Sequence, residues 1–100
     1  MSQHPINARR ADDAAESVGL TPTSINSGST GVQLQNDPDN RWTIDQGKAV
    51  ATAFGAPADQ IRIQYFPPTE HCPGFCSVHG AAADGLRITI FCAYEPEVTA

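Results

Sequence analysis

The sequence predicts a small α+β domain of order β-α-β-β, one helix packed on a small, mainly antiparallel three-stranded sheet, preceded by a flexible N-terminal arm. Three observations predict it. A helical pattern over 43–54 carries its own start and stop signals, two segments at 61–66 and 86–94 alternate with period two, and the first thirty residues hold few large apolar side chains. A chain of 100 residues makes one such domain. One helix over one face of a three-stranded sheet is the simplest way to bury these apolar faces together.

The arm spans residues 1–30. After Met1 its large apolar residues are Ile6, Val18, Leu20 and Ile25, too few to offset the ~1–2 kcal/mol per residue that ordering a backbone costs. Within it, Ala8 to Val18 is rich in helix formers, with Ala8, Ala11, Ala15 and Val18 on one face. Such a short helix is marginal in isolation. Asp12, Asp13 and Glu16 read as its solvated side. Turn and linker residues fill 19–31. The arm is therefore either a disordered tail or a segment that docks on a partner or a sister subunit.

Patterns sharpen over 31–100. Val32 and Leu34 alternate with glutamines as a short strand, and Asn36 to Asn40 is a turn by composition. Thr43 caps the helix, and Gln46 stands three residues on, as a capping box requires. Ile44, Gly47, Val50 or Ala51, and Phe54 recur at helical spacing, and Gly55 with Pro57 stops the run. Trp42 precedes the cap as a core residue or an anchor. In 61–66, Ile61, Ile63 and Tyr65 face inward, Arg62 and Gln64 outward, and Pro67-Pro68 ends the strand. In 86–94, Leu86, Ile88, Ile90, Cys92 and Tyr94 share one face, with Arg87, Thr89, Phe91 and Ala93 on the other. These last two strands are expected to pair antiparallel, with Phe66 near Leu86, joined by a long loop at 67–85. A loop of that length is functional or internally tied down. So small a core also calls for a staple, a partner or a dimer.

That loop holds the one constellation with chemistry, His71-Cys72-Pro-Gly-Phe-Cys76-Ser-Val-His79. Zinc takes four Cys and His ligands in a tetrahedron, and His71, Cys72, Cys76 and His79 supply those types. Zinc would staple an undersized core. The alternatives are reduced thiols beside solvated histidines, a Cys72–Cys76 disulfide or redox sensor, and a catalytic cysteine with His71 or His79 as base. The expected hairpin puts Cys92 roughly 20 Å from the loop end, a buried small hydrophobe outside the site.

The string from Cys72 to His79 resembles the C-P-x-(Trp/Phe)-C-x-x-(x)-His element of short, uncharacterised actinobacterial proteins, over eight of the residues. Phe75 stands where Trp is usual, the spacing to His79 is one shorter, and the acidic, then His-rich continuation is missing. The resemblance implies no activity. It implies a high-GC bacterium or its phage as the source, and 14 Ala with five Arg against one Lys agree with that.

Composition narrows function mainly by exclusion. A net charge of −5 is not the basic stripe that a nucleic-acid partner needs, so none is expected. No apolar run approaches the ~20 residues that span a bilayer, and Met1 to Pro5 lacks the order of a secretory signal. The expected compartment is the cytoplasm, and three cysteines, an odd number, in such a chain make a structural disulfide framework unlikely. Asp37, Asp39 and Asp45 follow no calcium-loop pattern, and the phosphate-loop, dinucleotide, serine-hydrolase and zinc-protease motifs are absent. Phe66 and Phe91, flanked by Arg62 and Arg87 on the outward face, form a candidate protein-binding or dimerisation patch, or a site where the arginines meet an anion. The expectation is a non-enzymatic, protein-binding accessory or regulatory module whose partner is another protein or itself. A zinc-stabilised module and a small thiol enzyme or redox sensor are the alternatives.

Overall fold

The Thr43 capping box and the Gly55 stop bound a helix in the computed structural model of the chain, which describes residues 4–28, 30–37 and 40–96. Met1 at the start of the signal reading, and Pro38 and Asp39 in the turn and calcium-loop readings, lie outside that description. The elements run α1 (His4–Ser17), β1 (Ser24–Ser27), β2 (Gly31–Gln35), α2 (Ile44–Phe54), a short 3-10 turn (Ala58–Gln60), β3 (Arg62–Phe66), β4 (Phe75–Ala81) and β5 (Arg87–Cys92). The five strands form one sheet in the order β1-β2-β5-β4-β3. β2 and β5 are parallel and the other neighbours antiparallel. Two helices on a five-stranded mixed sheet replace the expected β-α-β-β arrangement of one helix on three mainly antiparallel strands.

The first correction concerns the arm, which was expected to be flexible. Residues 4–28 supply α1 and β1, because small side chains do what large ones were expected to do. Ala11, Ala14 and Ala15 are buried in the core with α2 and the sheet, and their methyl groups let α1 approach closely. Asn7 is 1% exposed, and its Nδ2 donates to Gly28 O at 2.8 Å, tying α1 to the chain after β1. Gly19, at φ +80°, ends α1. Its N–H donates to Glu16 O and that of Leu20 to Ala15 O, so the last helical carbonyls keep partners. The same device recurs after α2, where Gly55 at φ +116° and Ala56 donate to Thr52 O and Ala51 O.

The second correction concerns the loop at 67–85, whose interior forms β4. Strands 61–66 and 86–94 were expected to pair with each other, but β4 lies between β3 and β5 and pairs with both. Cys76 and Val78 alternate with Phe75, Ser77 and His79, so the stretch has a strand's period two with one apolar face. Cys92 therefore stands directly opposite Cys76 in the ladder rather than far from the loop. The parts of 67–85 without strand are a tight turn at Thr69–Cys72 and the Ala82–Gly85 turn joining β4 to β5.

Both helices cover the same sheet face. Val32, Leu34, Val78, Ile88 and Ile90 point there and are at most 1% exposed. Each such side chain contributes about 1.5–3 kcal/mol by leaving water. Gly47 of α2 sits over β4 and β5 so closely that a Cβ there would lie 2.7 Å from Cys92 Sγ and 3.0 Å from Val78 Cγ2. Trp42, 4% exposed, bridges to Cys92 and accepts from Ala93 N at its carbonyl, anchoring the end of β5.

Candidate functional site

The opposite sheet face carries no helix, and strand periodicity decides what it displays. Gln33 and Gln35 of β2, Arg87, Thr89 and Phe91 of β5, Phe75, Ser77 and His79 of β4, and Arg62, Gln64 and Phe66 of β3 all alternate away from the core. Among the described residues no strand contains Asp or Glu, and the ionisable groups that strands place on this face are Arg62, His79 and Arg87. The acidic groups Asp12, Asp13, Glu16 and Asp45 are on the helices of the covered side. An acidic protein thus presents one locally basic surface.

One end of this surface is aromatic. Phe66 and Phe75 are register partners whose rings stack at 4.4 Å between centroids, and Phe91 meets Phe75 edge-on at 5.9 Å. All three rings are half-buried. Arg41 closes the cluster from the side, its guanidinium 5.8 Å from the Phe75 centroid and its Nη1 donating to Gly74 O at 3.2 Å. The four residues singled out as a patch, Phe66, Phe91, Arg62 and Arg87, do share this face. Phe66 and Phe91 meet through Phe75, which the sequence reading placed in a metal loop. Its signal was the two-residue alternation of 75–80, visible once the Cys and His content is set aside.

A polar layer lies beside the rings. Ser77, 2% exposed, shares a 2.7 Å hydrogen bond between its Oγ and His79 Nε2, and Thr89 Oγ1 lies 3.3 Å from His79 Nδ1. Both ring nitrogens are thereby engaged, and burial holds His79 below its ordinary value of 6.5, favouring the neutral imidazole. The Ser–His contact has the pairing of a nucleophile and base, but the serine oxygen is covered, so the pair serves to satisfy buried polar atoms.

The proposed zinc ligands do not converge. His71 and Cys72 are exposed at the Thr69–Cys72 turn. Cys76 faces the helices, where its Sγ accepts from Glu95 N at 3.4 Å and lies 3.6 Å from Glu95 O. His79, three residues further along the strand, points out of the other face, so Cys76 and His79 cannot share bonds of ~2.0–2.3 Å to one ion. Among the described residues, the group whose ligand atoms come within 4.8 Å of one another is Asp12, Asp13 and Glu16, on the outside of α1. Arg9 pairs with Asp13 there at 4.0 Å.

The thiols differ by environment. Cys72 is exposed, whereas Cys76 and Cys92 are fully buried. Burial pushes the Cys92 thiol up to about 12, and the neighbouring Cys76 and Glu95 add to it. A thiol so protonated is neither a nucleophile nor a ready metal ligand at neutral pH.

Among the described residues no helix is long and apolar enough to cross a membrane. Comparisons with protein-family models, with curated proteins and with solved structures find no match to this chain.

Proposed function

We propose that the protein is a non-enzymatic binding module whose helix-free sheet face docks on another protein. The observation that carries this reading is the Phe66–Phe75–Phe91 cluster, half-buried and set into a face whose strand-borne charges are all positive. Aromatic residues and arginines with few carboxylates are the composition of an interface centre. The complementary partner brings an apolar side chain to the rings and acidic groups toward Arg62 and Arg87. Cytoplasmic residence belongs to the same reading and is supported by Cys72, Cys76 and Cys92 standing as free thiols.

Affinity capture from the cognate lysate with the wild-type chain and with Phe66→Ser/Phe91→Ser tests it, with sedimentation equilibrium to separate self-association from a foreign partner. Capture lost in a double variant that still melts cooperatively supports the reading. An unchanged set of captured proteins and an unchanged mass in solution remove the aromatic face from the account.

A further inference from the structure

The basic end of the open face has a floor as well as walls. Ala81 is the last residue of β4, and Arg87 is its β5 partner. Gln60 leads into β3, and Arg62 pairs with His79 one step along. Together with Thr89 these side chains line an open depression of about 510 Å³. The Ala81 methyl is too short to fill the space that the long side chains around it enclose.

Charge in the depression is one-sided. The ion pairs among the described residues are Arg9–Asp13 and Arg10–Asp84, so Arg62 and Arg87 have no carboxylate partner there. Both are exposed. They stand on β3 and β5 with β4 between, two strand spacings across and two residues along, or ~12 Å between Cα atoms. Two extended arginine side chains can close that span on a small anion from both sides. The His79 ring beside them is held by Ser77 and Thr89 and contributes surface rather than charge.

We propose that this depression binds a dianionic phosphate group, free or borne on a monoester, gripped between the guanidinium groups of Arg62 and Arg87 with the Gln60 amide at its rim. Two planar forks offer paired N–H donors to a tetrahedral oxyanion, and their two positive charges match a dianion. A lone carboxylate would satisfy one fork and leave the other without a partner. The depression begins two residues along β4 from Ser77 and its partner Phe91, ~7 Å, and ends at Ala81, ~13 Å away, so a small phosphate at the Ala81 end does not touch the rings. It shares Arg62 and Arg87 with the docking reading but needs no ring, so Phe66→Ser/Phe91→Ser separates the two.

The test is amide NMR of the full chain titrated with inorganic phosphate and with N-acetyl-O-phosphoserine amide, against sodium chloride at equal ionic strength. Saturable shifts at Gly80, Ala81 and Arg87 are expected. Arg62→Gln and Arg87→Gln should each weaken binding roughly tenfold, the loss of one charged hydrogen-bond partner. The double variant should show no saturation, while Phe66→Ser/Phe91→Ser should bind as wild type. Tighter binding of the capped phosphoserine puts the phosphate on a modified protein. Equal or tighter binding of inorganic phosphate makes it a free small molecule, and either result supports the site. Shifts that never saturate, or that persist in the Arg62/Arg87 double variant, overturn it. Tighter binding of an oligothymidylate than of either phosphate, lost in the phenylalanine variant, also overturns it, in favour of a single-stranded nucleic acid along the whole face.

Discussion

The two faces of this sheet are made by the same strands, and they differ in almost every chemical respect. On the covered face Val32, Leu34, Val78, Ile88 and Ile90 are sealed beneath two helices, beside the protonated thiol of Cys92. On the open face stand three half-buried rings, two exposed arginines with no carboxylate partner among the described residues, and a Ser–His–Thr layer whose serine is covered. Period two in the backbone separates them, so a substitution one position along a strand moves from the stability of the fold to its recognition surface. This separation makes the comparison testable.

Thiol reactivity gives the widest contrast. In native protein at neutral pH, iodoacetamide should label exposed Cys72 to completion before Cys92 reacts detectably, because Cys92 is buried and its thiol is held protonated. Mass mapping of timed samples checks this, and comparable labelling of the two would mean the covered face opens readily. Ile90→Ala comes next, with a loss of about 3 kcal/mol and a fall in Tm of roughly 15 °C. Partner capture at low temperature should survive it. Gly47→Ala should cost about 2 kcal/mol, because the added methyl meets Cys92 Sγ and Val78 Cγ2. A neutral result in thermal melts would show that α2 sits higher on the sheet.

Phe75→Ala reverses the pattern. Stability should fall by only about 1 kcal/mol as the contacts to Phe66 and Phe91 are lost, while capture disappears. The smallest effect is the pH dependence from His79. Burial lowers its folded value, so the unfolded chain takes up the proton first as pH falls. The contribution of the neutral imidazole is complete above the ordinary value of 6.5 and declines below it, toward the lower folded value. Urea titrations at stepped pH should show this slope in wild type and lose its His79 share in His79→Gln.

How much of the molecule was legible follows the same division. α2 could be read almost to the residue, since Thr43, Gln46 and Gly55 act through local backbone hydrogen bonds that any context preserves. The inward and outward residues of β3 and β5 could be read from alternation alone, and with them Phe66, Phe91, Arg62 and Arg87 on one face. α1 could be read only in part: the helical pattern of 8–18 was visible, but not its docking, because a tally of large apolar side chains misses what Ala11, Ala14 and Ala15 gain from close approach to a partner. β1 is a short stretch of serine, asparagine and a single isoleucine, and β2 rather than its own composition makes it a strand. β4 was obscured by its chemistry. Cysteine and histidine at 71–79 suggested ligands, while the alternation of Phe75, Ser77 and His79 against Cys76 and Val78 already described a strand with two faces. The Phe75 junction and the depression around Ala81 both depended on β4, so neither could be located without it.

β5 is the last strand in sequence, yet it occupies the middle of the sheet. β1 pairs with β2 and β3 with β4 as hairpins, and residues 87–92 supply the ladders that join the two pairs into one sheet. Apart from β5, the two hairpins meet through α2, which packs on α1 and on β4. A single segment thus closes two ladders at once, and damage to it opens both.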